Sequence, residues 1–249
     1  MLYLYYQEWN NADFEGILRG GIMKILVACE ESQRVCIAFR ERGHQAFSCD
    51  IEDCSGGHPE WHIKGDVLKV LNPKEINCTL PLDGYNSCVY GIEFITADGK
   101  YHFINGKWDL IIAHPPCTYL SNAGARFLYP KGVVNEDRLK LGLTAKGFFM
   151  QLYNADCDKI CVENPIPSRV FGLPKYSQTV QPYEHGHPFK KKTCFWLKNL
   201  PLLQPTDIVD VRESTKIAGN WFNKGGKDRQ KNRAKTFEGI AKAMAEQWG

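Results

Sequence analysis

The chain has 249 residues, with 31 lysines and arginines against 28 aspartates and glutamates, for a formal net charge of +3. That length fits one domain or at most two, and the composition is that of an ordinary globular protein, which excludes fibrous and disordered classes. Mild basicity permits nucleic acid as a partner without arguing for it; no apolar run approaches the ~18 residues of a membrane helix, so no membrane partner is expected; and ten cysteines without a secretory signal point to free thiols in a reduced, cytoplasmic compartment.

Residues 1–22 are aromatic-rich, end in Gly20-Gly21-Ile22, and read as an N-terminal extension to a core that starts at Met23. The run KILVAC, residues 24–29, is a first buried strand. Glu30, Glu31 and Ser32 then lead into a helix over 32–42, with Val35, Ala38 and Phe39 on one face, Ser32 as its candidate cap and Gly43 as its end. QAFSC, residues 45–49, is a second strand with Asp50 at its end. An acid about 20 residues past the first strand–helix turn is where βαβ units contact a ribose hydroxyl, although a solvated turn aspartate reads the same way. Residues 51–65 form a long loop, and Asp66-Val67 opens a third element, with Asp66 facing an adenine amino group or capping a turn. Cys49, Cys54, His58 and His62 are spaced compatibly with zinc. Cys49 belongs in a strand, however, and no second pair echoes the pattern, so no metal is expected. Residues 76–107 hold a β-hairpin insertion: Val89 to Thr96 alternates, Asp98-Gly99 turns, and Tyr101 to Ile104 alternates again.

The stretch WDLIIAHPPCTYLSNAG, residues 108–124, is the centre of the chain. Leu110 to Ala113 is a buried strand, broken by Pro115 and Pro116, beyond which stands Cys117. Most free cysteines are packing residues. A thiol just past a strand end in a proline-stiffened loop is also a place for a nucleophile, because ligands of α/β sheets bind outside the carboxyl ends of the strands. After a polar loop over 131–138, residues 137–153 form a helix around Leu139, Leu143, Phe148, Phe149 and Leu152. KICV, residues 159–162, repeats the earlier pattern, with Glu163-Asn164-Pro165 at its end. Cys117 and Glu163 should therefore open on one edge of a parallel sheet. Residues 166–188 are loop-rich, and Lys190 to Lys192, solvated or drawn to phosphate, precede a further strand, Thr193 to Leu197. Residues 204–233 are polar and basic, and 234–248 form a helix with Phe237, Ile240, Ala241 and Met244 inward. The pattern is an α/β, doubly wound, mostly parallel sheet: a core over 23–203, a loop region over 204–233 and a helix over 234–249 packed back on the core.

A thiolate and a glutamate at neighbouring strand ends suit pyrimidine chemistry. Addition of the thiolate at ring carbon-6 makes carbon-5 nucleophilic, and a glutamic acid bonded to ring N3 stabilises the adduct. An acid with that task needs a raised pKa, which a desolvated pocket supplies.

These residues resemble the cytosine-5 DNA methyltransferases. The family's Pro-Cys loop after a buried strand is matched by Pro116-Cys117, its Glu-Asn-Val motif by Glu163-Asn164-Pro165, its first motif by Ala28–Gln33 and its ribose acid by Asp50. A later basic motif is similar to Gly186–Phe195, and the closing segment to Thr236–Ala245, with Gly239 near its start. The resemblance implies a Rossmann-like fold of the class I methyltransferase type. It implies S-adenosylmethionine as cofactor and double-stranded DNA, with the target cytosine flipped out, as partner. Cys117, Glu163, Pro116, Asn164 and Lys191 would form the catalytic set. Ala28, Cys29, Glu30, Glu31, Ser32, Asp50, Ile51, Asp66, Val67, His114 and Pro115 would hold the cofactor. Ser121, Asn122, Arg126, Lys190, Lys192 and Thr193 would meet the substrate. More narrowly, HPPCTYLSNAGARFLYP with VENP is similar to small methyltransferase-like proteins of bacteriophages and prophages, which implies a host bacterial cytoplasm. The chain departs from the family in four ways: ACEESQ has no glycine, Thr118 replaces the usual glutamine, lysines stand for arginines in the basic motif, and the target-recognition domain is missing or reduced to residues 204–233. Two alternatives stay open, a pyrimidine-modifying enzyme acting on a free nucleotide or with another donor, and a catalytically dead homologue that binds DNA or a defence protein.

Overall fold

The computed structural model describes residues 21–79, 86–211 and 229–249. Residues 1–20 of the expected extension, and 212–228 of the expected loop region, lie outside the described residues. In chain order the elements are β1 (Lys24–Ala28), α1 (Arg34–Glu41), β2 (Gln45–Asp50), β3 (His62–Lys64), α2 (Leu68–Leu71), β4 (Lys74–Thr79), β5 (Asn86–Ile95), β6 (Tyr101–Asn105), β7 (Leu110–Ala113), α3 (Glu136–Tyr153), β8 (Lys159–Pro165), β9 (Gln178–Val180), β10 (Thr193–Lys198), α4 (Arg229–Ala234) and α5 (Glu238–Trp248).

The architecture is mixed α/β. A seven-stranded sheet has the order β3-β2-β1-β7-β8-β10-β9, and a three-stranded antiparallel sheet has the order β4-β5-β6. Strands β1, β2, β3, β7 and β8 run parallel, while β10 runs antiparallel to both its neighbours. The central strands are continuous apolar runs because both faces are covered. One face carries Leu26, Ala28, Phe47, Ile111, Ile160, Val162 and Trp196 against α3 and the smaller sheet. The other carries Ile25, Val27, Leu110, Ile112, Cys161 and Phe195 against α1 and α5. Each fully buried side chain of this size is worth about 1.5–3 kcal/mol. Among the described residues the three buried indoles also satisfy their N–H groups: Trp108 Nε1 donates to the Val70 carbonyl at 2.8 Å, Trp196 Nε1 to that of Pro174 at 2.7 Å and Trp248 Nε1 to that of Pro201 at 3.1 Å.

Several sequence expectations need correcting. The expected third element at Asp66-Val67 is the approach to α2, and β3 lies earlier, inside the stretch read as loop. The hairpin is the β5–β6 pair, with Gly99 in the left-handed region at its turn, and β4 adds a third strand. The small sheet packs inward through Phe94, whose ring lies 4.9 Å from Phe47 and 5.9 Å from Trp108. Leu143 is exposed, because α3 turns Gly142 to the core, where the Phe171 ring occupies the space a side chain would need. The terminal helix starts at Glu238, after the separate short helix α4. Phe237, Ile240, Ala241 and Met244 are all buried. Among the described residues no helix is long and apolar enough to cross a membrane.

Candidate active site at the carboxyl edge of the sheet

Strand order reverses at β1, which pairs with β2 on one side and β7 on the other. Such a reversal leaves a crevice beyond the carboxyl ends of the strands. Ala28 is in register with Cys49 and Ala113, and Ala113 with Val162, so the residues that follow all emerge on one edge: Cys29, Asp50, His114 and Glu163. The His114 amide donates to the Ala28 carbonyl at 2.9 Å and closes the seam between β1 and β7.

The glycine-free turn after β1 adopts the conformations that glycine usually supplies. Cys29 and Gln33 both lie in the left-handed region, with φ of 59° and 58°, at a cost on the order of 1–3 kcal/mol each. Tertiary bonds hold them there. Gln33 is fully buried; its amide donates to the His58 carbonyl at 2.8 Å and accepts from the His58 amide at 3.1 Å. Ser55 N–H donates to the Glu31 carbonyl at 2.8 Å, and a side chain at Gly56 would come within 2.6 Å of Gln33 Cβ. Glu30 is not available to a cofactor as expected. It is 4% exposed, and its carboxyl group folds back to accept from the amides of Val35 at 2.7 Å and Cys36 at 3.2 Å, satisfying two donors at the start of α1. Ser32 therefore does not cap that helix; it is buried, and the capping position, at Gln33, makes no side-chain cap bond. The Glu31 carboxylate lies 3.8 Å from Lys235.

On the β2–β3 side, Asp50 Oδ1 accepts from the Glu52 amide at 3.0 Å, and burial, eased by that bond and by His62, pushes its carboxyl up. Ile51 beside it is 73% exposed, an open apolar face next to a carboxylate. Asp66 is exposed and accepts from the Leu68 amide at 3.0 Å, while Val67 is buried. His62 has both ring nitrogens engaged, by Ser48 Oγ at 2.9 Å and the Glu52 carbonyl at 2.9 Å, and His58 pairs with Glu60 at 2.9 Å. Among the described residues no three side chains of metal-binding type converge.

The other half of the edge centres on Glu163. His114 Nδ1 lies 2.8 Å from Glu163 Oε2, with both side chains largely buried. Burial pushes the Glu163 carboxyl up, but the His114 hydrogen bond, the His114 charge and Lys191 together hold it below the ordinary carboxylate range. Burial likewise disfavours a charged His114, yet Glu163 and Glu30 raise its pKa above the usual imidazole value. The expectation of a raised Glu163 is thus overturned: desolvation is present, but a paired histidine outweighs it. The buried amide of Asn164 next door has no hydrogen-bond partner among the described residues.

Cys117 is half-buried. Burial first, then Glu163, raises its thiol, against the lowering influence of Lys191 and Arg233. Pro115 is buried and Pro116 exposed, so the proline pair bridges core and surface. The Cys117 carbonyl accepts from Ser121 N–H at 3.0 Å, and Asn122 N–H donates to the Ile166 carbonyl at 2.8 Å, which ties the loop to the segment after β8. Ser121 is buried, while Asn122 and Arg126 are exposed, with Arg126 over the Phe127 ring at 4.6 Å. Arg138 donates to the Thr118 carbonyl at 3.0 Å and lies over the rings of Tyr119 and Phe127 at 5.1 and 5.2 Å. Of the lysine triplet, Lys190 and Lys192 are exposed; Lys191 turns in, donating to the Arg233 carbonyl at 2.8 Å. Thr193 is buried and bonded to the Lys191 carbonyl at 3.2 Å.

Glu163, Lys191, Thr193, Phe195, Thr236, Phe237, Ile240 and Met244 line one small pocket. Its room, roughly 10 Å³, suits about one water molecule. A larger groove of about 330 Å³ between α2 and α3 is lined by none of the residues expected at the site, although Leu68, whose amide bonds Asp66, lies on its wall. Sequence reasoning missed Arg138, Thr236 and the pairing of His114 with Glu163. The last had a readable signal: both residues stand one place beyond buried strand runs of the same type, LIIA and ICV. Neither a scan against protein-family models nor a search of curated proteins finds a match for the chain.

Proposed function

We propose that this chain methylates carbon-5 of cytosine in DNA, within a fold of the class I methyltransferase type, acting on a base flipped out of the duplex. What carries the reading is the convergence of Cys117, in the loop after β7, and Glu163, on β8 just past its parallel pairing with β7, with Lys191 in electrostatic reach of both. The Cys117 sulfur adds to ring carbon-6 while Glu163 meets N3, and Cys117 leaves again as thiolate once carbon-5 has given its proton to a water molecule. Lys191 favours the thiolate over the thiol. Lys190 and Lys192, open to solvent, suit the phosphate backbone.

The cofactor residues fit S-adenosylmethionine in part. Asp50 and the open face of Ile51 suit a ribose and an adenine, Asp66 is free to meet the adenine amino group, and the glycine-like turn at Cys29 draws the backbone aside. Glu30 is withdrawn from that set by its duty at α1. When bound, the cofactor supplies the methyl group.

Incubation of the chain with DNA and methyl-labelled S-adenosylmethionine tests the reading. Label is expected in DNA, lost with Cys117→Ser and kept with Cys54→Ser. Label on deoxycytidylate but not on DNA would move the substrate to a free nucleotide. Calorimetry that finds no binding of S-adenosylmethionine to the folded chain would point to a binding protein without this activity.

A further inference from the structure

We infer that His114 is the proton reservoir of Glu163: the proton that reaches ring N3 is held, in the resting protein, by the imidazole rather than by the carboxyl. The inference rests on the proposed methyl transfer and adds a residue to it. Its basis is geometric. His114 and Glu163 leave adjacent parallel strands at the same level, their strands in register through Ala113 and Val162. They meet at 2.8 Å through Nδ1 and Oε2, with side chains 9% and 13% exposed. At that depth solvent does not deliver a proton freely. Among the described residues His114 Nε2 is buried with no hydrogen-bond partner, and Nδ1 is the ring nitrogen that is held.

The charged groups around the pair set its direction. Glu163 on β8 and Glu30 on the turn after β1 favour a protonated imidazole, and Lys191 at the approach to β10 opposes it. Glu163 itself is faced by His114 and Lys191. We take the resting pair to be imidazolium–carboxylate, in which Glu163 alone has no proton to give. The Cys117 thiol first loses its proton to solvent. The proton on His114 Nδ1 then passes to Glu163 Oε2, and the carboxylic acid so formed donates a proton to ring N3 as the thiolate sulfur of Cys117 bonds to carbon-6. The imidazole becomes neutral, Glu163 returns to carboxylate, and the thiolate's negative charge is neutralised in the adduct. When Cys117 departs, the N3 proton returns by the same path. Here His114 acts through Glu163 and touches no reacting atom, which makes it a positioning and proton-holding residue.

Two measurements test this. Nuclear magnetic resonance titration of the His114 imidazole in the intact protein should find it protonated at neutral pH, and Glu163→Gln should lower its pKa; a neutral His114 at pH 7 overturns the inference without reference to activity. His114→Gln keeps a donor toward Glu163 but has no titratable proton. It is expected to slow methyl transfer about a hundredfold with KM for DNA unchanged, and to move the activity optimum to lower pH, where solvent can protonate Glu163. A His114→Gln protein with the rate and pH profile of the unaltered chain would overturn the role while leaving the methyltransferase reading intact. An unaltered chain that labels neither DNA nor deoxycytidylate would remove both.

Discussion

Replacing Gly239 by alanine should destabilise the protein, although alanine is the better helix former. Gly239 lies in the first turn of α5, where an added Cβ would overlap the His185 carbonyl oxygen and sit 2.9 Å from its carbonyl carbon. Both are backbone atoms, so no side chain can swing away. The substitution gains about 1 kcal/mol of helix propensity. Against that stand about 1–3 kcal/mol for forcing apart packed backbone and about 1 kcal/mol for straining the bond from Gly239 N–H to His187 Nε2, now 2.9 Å. The expected net is a loss of about 2 kcal/mol, which for a chain of this size lowers the melting temperature by about 4–8 °C. Gly147 in α3 is the control, since a Cβ there meets nothing within 4 Å. Gly147→Ala should gain up to about 1 kcal/mol and melt about 2–4 °C higher. Thermal denaturation followed by circular dichroism reads both. If Gly239→Ala melted at or above the unaltered temperature, the close seating of α5 against residues 185–187 would be refuted.

Two further outcomes follow from the cap on α1 and the thiol of Cys117. Glu30→Ala strips a carboxylate from two buried amides and should cost about 2–4 kcal/mol in chemical denaturation; Glu30→Gln keeps one acceptor and should cost about half. Because burial raises the Glu30 carboxyl, the part of stability linked to its protonation is full below the ordinary carboxylate pKa and is lost as pH rises through the raised value, so the penalty of Glu30→Ala should grow toward acid pH. Alkylation of Cys117, read by peptide mass spectrometry, should be slow at neutral pH and accelerate above the ordinary thiol pKa. Glu163→Gln should shift that rise to lower pH, because the Glu163 charge helps hold the thiol up; an unmoved profile would count against their proximity.

The sheet was legible where burial on both faces wrote continuous apolar runs, as in KILVA, LIIA and KICV. It was illegible where pairing alone makes the strand: β3 is His62-Ile63-Lys64 and β9 is Gln178-Thr179-Val180, edge strands whose short composition carries no period. The cap on α1 was missed because Glu30 lies three residues before the capping position and reaches the helix only through the left-handed turns at Cys29 and Gln33. Local cap patterns do not anticipate such a fold-back. Leu143 followed the helical period but not the packing, which was decided by Phe171, distant in sequence. At the edge, Cys117 and Glu163 were readable as strand-end residues; the state of Glu163 was not, because it depends on which neighbour crosses from β7. Lys191 was set apart from its two flanking lysines by the family resemblance alone; its residue pattern gave no reason for it to turn in and bond the Arg233 carbonyl.

The narrowness of the pocket beside Glu163 has a consequence for kinetics. A cavity with room for about one water is smaller than a pyrimidine ring, so on the proposed function its lining, Thr236 and Phe237 at the approach to α5 among it, would have to move. Ligand is then captured in proportion to the fraction of molecules standing open. A site open about one part in a hundred binds about a hundredfold more weakly than its contacts alone would allow. Any partner that holds the segment before α5 outward would recover that factor, and a substitution that loosens it would raise apparent affinity without touching Cys117 or Glu163.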